Sequence, residues 1–219
     1  MDAANDDHLP PEAELAIAWS APKVRAPLTT ALQLDRRLAR IVARTSEPML
    51  GQMRLAWWRE ALGKPVSERP RGDRVLDAIG TNWAGQESAL VAMVDGWEVL
   101  VSAETIGIEE ARVLGMGRGA FFAALDQRDD RAGQDRLAAA GYRWALADAA
   151  ASVSDAGERD VLVSVGLARA HLGGSVPRDL RGLAVLEALA RRALKRGGQP
   201  LMAGRGASLT ALRAAIFLT

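Results

Sequence analysis

Several carboxylates stand at a spacing that could gather a divalent cation. Asp73 and Asp77 in "DRVLD", and Asp126 and Asp130 in "DQRDD", are four residues apart, which on a helix places two carboxylates on one face. Such pairs can hold Mg²⁺ and, through it, the oxygens of a diphosphate. Both pairs fall where a helical pattern starts or stops, and acidic side chains near a helix N-terminus are favourable without any ligand. In a chain with 27 acidic residues, solvated helix ends are the expectation for both. Asp148 in "YRWALADAAASV" stands alone, with Ser152 in its i+4 position. The glycines of "GMGRGA" suggest a dinucleotide loop, but no strand pattern precedes them. Gly115, Gly117 and Gly119 are instead expected to permit close helix packing or a kink. His8 lies in an acidic tail, and His171 precedes "LGG", where a capping role near a helix end is expected. The absence of cysteine removes disulfides, thiolate metal sites and cysteine nucleophiles together.

The elements that carry these residues read as helices. Apolar residues recur at helical spacing almost throughout, and the short run "VLVSVGLA" is the one strand-like exception. Proline and glycine divide the chain into helices expected over 11–19, 27–44, 46–63, 73–83, 87–102, 108–126, 134–153, 158–172, 178–196 and 207–219. Pro11 and Pro27 suit first-turn positions, Ser46 an N-cap, and Asp155 with Glu158 a capping box. The expectation is an all-α, single-domain helical bundle of about nine or ten helices over 11–219, preceded by a tail over 1–10. With 28 basic and 27 acidic residues, the net charge of +1 argues against a nucleic-acid module. No apolar run reaches the ~18 residues of a spanning helix, and the acidic start lacks the features of a secretory signal. A cytoplasmic protein is expected.

"SEPMLGQMRLAWWREALG" carries the most informative chemistry. A helical wheel places Leu50, Met53, Trp57 and Ala61 on one side, widened by Leu55, Trp58 and Leu62, with Gln52, Ala56, Arg59 and Glu60 opposite. Both tryptophans are expected in the core. Arg54 falls inside the apolar arc, where an unpaired charge is costly. On the preceding helix the wheel groups Asp35 with Leu28, Ala31, Leu34, Leu38, Ile41 and Val42. An antiparallel hairpin across "RTS" would let Asp35 face Arg54. That pair could be structural; Arg54 could instead hold a diphosphate, and stacking on Trp58 would suit either arrangement.

"LDRRLARIVARTSEPMLGQMRLAWWREAL" resembles the helical hairpin of the squalene/phytoene synthase family, and in particular its bacterial branch related to a mitochondrial complex I assembly factor. "ALVAMVDGWEVL", "AAAGYRWALADAAASV", "GGSVPRDL", "LEALARRALKRG" and "LRAAIFL" resemble later parts of the same proteins, so the resemblance runs from about residue 25 to the end. It implies an isoprenoid-synthase-type bundle. Catalytic members condense two prenyl diphosphates through Mg²⁺ held by two DxxxD-type motifs on facing helices. Here the first motif should fall near "RIVARTSEP", which has no aspartate, and the second keeps only Asp148.

The resemblance with the motif loss implies a catalytically inactive binding or assembly factor for a respiratory complex. The alternatives are a Mg-dependent prenyl-diphosphate transferase with a rearranged site, recruiting Asp35, Glu47, Asp148 or a shifted pair, and a lipid- or isoprenoid-binding module. No catalytic residue and no cofactor is expected, Mg²⁺ entering only if the chain is an enzyme. Asp35, Arg54, Trp58, Tyr142 and Asp148 are the candidate contacts to a cavity or ligand. The expected partner is a protein or an apolar isoprenoid or lipid, with peripheral contact to an inner membrane as an option and no nucleic acid.

Overall fold

A computed structural model describes residues 8–45, 47–169 and 175–217. They form ten α-helices of nine residues or more and a four-residue turn of helix, with no strand among the described residues. The order is α1 (Pro11–Trp19), α2 (Pro22–Arg44), α3 (Pro48–Gly63), α4 (Arg74–Asn82), α5 (Glu87–Ser102), α6 (Ile108–Gly119), α7 (Phe121–Ala124), α8 (Arg131–Ser152), α9 (Ala156–Ala168), α10 (Arg181–Lys195) and α11 (Ala207–Phe217). The strand-like "VLVSVGLA" lies wholly within α9.

The main departures from the expected boundaries have local causes. Helix α2 begins at Pro22, so Pro27 is interior; it sits early enough that its missing N–H costs a bond only to the carbonyl of Lys23 in the first turn. The carbonyl of Pro27 accepts a hydrogen bond from Trp83 Nε1 at 2.9 Å. The helix expected over 108–126 breaks after Gly119 and resumes as α7. Asp155 caps α9 by accepting from the Glu158 backbone N–H at 2.9 Å, but the Glu158 carboxylate accepts from Ile106 N–H, tying α9 to the approach of α6 instead of closing the box. Ser46 and His171 lie outside the described residues.

Helix α8 is the central element, packed against α6, α7, α9 and α10. Its many alanines let neighbours approach from several sides, and thirteen of its residues are buried. Helix α5 lies between α3 and α6, α2 packs on α4 and α5, and α1 bridges α2 and α10. One large apolar core joins these helices, with a smaller cluster of Leu114, Tyr142, Leu146 and Leu162 between α6, α8 and α9. Among the described residues, no helix is long and apolar enough to cross a membrane.

Helix α3 corrects the sequence wheel. It lies mainly along α5 rather than α2, and its inward residues are Gly51, Leu55, Trp58, Ala61 and Leu62. Leu50, Met53 and Trp57, expected inside, are exposed, Met53 by 63% and Trp57 by 41%. Apolar side chains nearly encircle this helix, so periodicity alone could not choose the inner face. Polar contacts and a glycine choose it. Gly51 approaches Val101 so closely that an added Cβ would lie 2.7 Å from its side chain. Arg59 pairs with Asp95 at 2.7 Å and with Glu98, and Gln52 donates to Ser102 Oγ at 3.1 Å. Of the face expected in solvent, Ala56 and Glu60 are exposed, while Gln52 and Arg59 form the rim of the α3–α5 interface. Only Trp58 of the pair is buried; Trp57 meets it edge-on from outside.

Candidate functional site

Arg118, rather than Arg54, supplies the positive charge at the centre of the bundle. Its Nε donates to Asp35 Oδ1 at 2.6 Å and its Nη2 to Asp35 Oδ2 at 2.8 Å. Nη2 also donates to Asp148 Oδ2 at 2.5 Å, and Nη1 to the Ala145 carbonyl at 3.2 Å. The guanidinium lies between the rings of Trp97 and Trp144, 4.3 and 4.7 Å from their centroids, as cation–π contacts require. Trp97 Nε1 donates to Asp35 Oδ1 at 2.8 Å. Arg118 and Asp35 are each 1% exposed. Burial opposes the arginine's charge, but the two carboxylates outweigh it and hold its pKa above the ordinary value.

The backbone explains how an arginine reaches this position. Gly117 presses on Ala92 and Gly96 of α5, and Gly119 on Gly141 of α8. Glycines on both sides bring α6 into near backbone contact with two helices, and Arg118 between them is carried to the middle. "GMGRGA" thus carries the signal for this site: an arginine flanked by glycines in a helix. The expected Asp35–Arg54 pair does not form. Arg54 is exposed and donates to Oγ1 of Thr45, the C-cap residue of α2, at 3.4 Å. The expected stack on Trp58 is replaced by the same contact.

Asp148 joins two spaces. On one side is a cavity of about 520 Å³ between α2, α5 and α8. Ala39, Ala43, Leu100 and Ala149 give it apolar wall, while Arg36, Arg40, Asp148 and Glu104 bring charge of both signs. On the other side a narrow crevice beneath α1 holds Glu12, Asp35, Arg118 and Asp148. Burial raises the Glu12 pKa, and the charge of Asp148 adds to the shift against the lowering effects of a backbone hydrogen bond and Arg36.

These residues do not suit a magnesium–diphosphate site. Both oxygens of Asp35 are bonded to Arg118, and one oxygen of Asp148 is too. The α2 wall of the cavity carries Ala39, Val42 and Ala43 with Arg36 and Arg40, and no carboxylate. Among the described residues, no three acidic or histidine side chains are grouped to hold a metal ion. Of the other acidic pairs, Asp73 and Asp77 serve a helix end, while Asp126 bonds a loop arginine and Asp130, the N-cap residue of α8, makes no side-chain capping bond. Asp73 caps α4, accepting from Val75 and Leu76 N–H groups, and pairs with Arg37; Asp77 accepts from Gly72 N–H. Asp126, expected at a solvated helix end, is instead buried and gripped by Arg128, whose hydrogen bond lowers its pKa against the opposing effect of burial.

Of the five candidate contacts, the structure brings Asp35 and Asp148 together through Arg118. Trp58 is in the core beside α5, and Tyr142 packs against Gly115 of α6 with Arg169 over its ring at 4.5 Å. Trp97 and Trp144, which flank the guanidinium, carry no sequence motif that marks them. A second buried charge cluster joins Arg136 and Arg143 of α8 to Glu187 of α10, at 2.5 and 2.7 Å. Comparisons of the chain with family models, curated proteins and solved structures give no match.

Proposed function

We propose that this chain is a non-catalytic binding protein of the squalene/phytoene synthase type, acting as a binding or assembly factor for a respiratory complex rather than transferring prenyl groups. The observation that carries the reading is the Asp35–Arg118–Asp148 bridge. Prenyl-diphosphate ionisation needs carboxylates free to hold cations around a leaving diphosphate. Here an arginine of the chain itself occupies that electrostatic role, and small apolar residues line α2. The assembly role rests on the sequence resemblance. A second reading, a carrier of an apolar isoprenoid or lipid, draws support from the cavity of about 520 Å³ beside Asp148.

The discriminating experiment incubates purified protein with farnesyl diphosphate and Mg²⁺ and measures pyrophosphate. Release no greater than from heat-denatured protein is expected; release above it would overturn the non-catalytic reading. Mass spectrometry of lipids extracted from native protein separates the two binding readings, since only the carrier retains a stoichiometric apolar molecule.

A further inference from the structure

The last described helix is turned inside out with respect to side-chain size. The inward residues of α11 are all alanines, Ala207, Ala211, Ala214 and Ala215, and they seat it closely on α10. Its large apolar residues, Leu209, Leu212, Ile216 and Phe217, face outward and are 45–65% exposed. Leu209, Leu212 and Ile216 follow one another at three- and four-residue steps and Phe217 lies eight residues from Leu209, so they form a stripe along the helix rather than scattered single exposures. From residue 188 to 217 the sequence has six basic residues, Arg191, Arg192, Lys195, Arg196, Arg205 and Arg213, and no acidic one. Lys195, Arg196, Arg205 and Arg213 are exposed. Arg213 stands within the stripe, four residues from both Leu209 and Phe217, where its long stem can lie along apolar surface while its charge stays in water.

We propose that the outer face of α11 docks on the surface of an anionic lipid bilayer. An apolar stripe of four large side chains, on a stretch of chain with six basic residues and no acidic one, matches the two demands of that surface, burial among acyl chains and attraction to phosphate headgroups. A protein partner of fixed register is matched less well. The stripe has no tyrosine, tryptophan, asparagine or carboxylate with which to set a specific geometry, whereas a bilayer asks only for one sign of charge and apolar area. A shallow groove of about 430 Å³ beside Ala188, Thr210, Arg213 and Phe217 gives an acyl chain a place to enter. The proposal is independent of how the interior site is read.

Co-sedimentation of the full chain with vesicles tests it. The protein should pellet with vesicles of equal parts phosphatidylcholine and phosphatidylglycerol, stay in solution with phosphatidylcholine alone, and be released by high salt. The double variant L212E/I216E replaces exposed residues only, and circular dichroism should show its helicity intact. Its binding should be abolished, and Arg213→Ala should weaken binding about five-fold, the effect of one cation near such a surface. Failure of the native chain to bind the anionic vesicles would overturn the proposal. So would binding that is unchanged in folded L212E/I216E, or a dimer in sedimentation velocity that this variant dissolves.

Discussion

Arg118 of α6 grips Asp35 of α2 at two points, 2.6 and 2.8 Å, across 83 residues of sequence. The grip is almost wholly buried and is shared with Asp148, so its members are expected to stand or fall together. Arg118→Met should lower stability by about 3–5 kcal/mol, the typical cost of leaving a buried charge without its partner. Adding Asp35→Asn to that variant should restore part of the loss, with a coupling of about 0.5–3 kcal/mol. Urea unfolding of the single and double variants measures both. Strictly additive losses would show that the two residues act separately.

The two neighbouring tryptophans should differ sharply. Trp58→Ala should cost about 3–5 kcal/mol, as expected for truncating a buried aromatic. Trp57→Ala should cost under about 1 kcal/mol, and Arg54→Ala should fall within about 0.5 kcal/mol of the native chain, because both residues are outside the core. Equal losses at positions 57 and 58 would return α3 to the orientation its periodicity suggested.

Glu12 gives a pH-dependent prediction. Burial and the charge of Asp148 raise its folded pKa above the ordinary glutamate value of 4.5. Below that value the side chain is protonated both folded and unfolded and carries no penalty. As pH rises through the folded pKa, ionisation in the crevice destabilises the folded chain. Glu12→Gln should therefore raise Tm at pH 7 and leave it unchanged in acid below 4.5. Thermal unfolding at the two pH values decides the point, and a lower Tm at pH 7 would show that the carboxylate is stabilising.

The all-helical character was legible in the sequence because period and punctuation are local properties. Helix α5 occupies the expected range, and α1 does too. The inner side of α2 was also readable, since Leu28, Ala31, Leu34, Asp35 and Leu38 form one stripe and are all buried. The partner of Asp35 was not, because nothing local distinguishes an arginine on α3 from one on α6 when both sit among apolar neighbours. The choice depended on which helix could approach nearest, and glycine contacts between distant segments set that. Trp97 and Trp144 were hidden for the same reason: each reads as an ordinary core residue until the guanidinium between them is seen.

Helix α6 meets α5 at Gly96 and Gly117, and α8 at Gly119 and Gly141, with main chain nearly touching main chain. At these glycine contacts no side chain lies between the backbones to absorb a shift, so the three helices should breathe as one slab. Their amide protons should be the slowest to exchange with deuterated solvent, giving the interior bridge a stiff frame while the outer helices loosen around it.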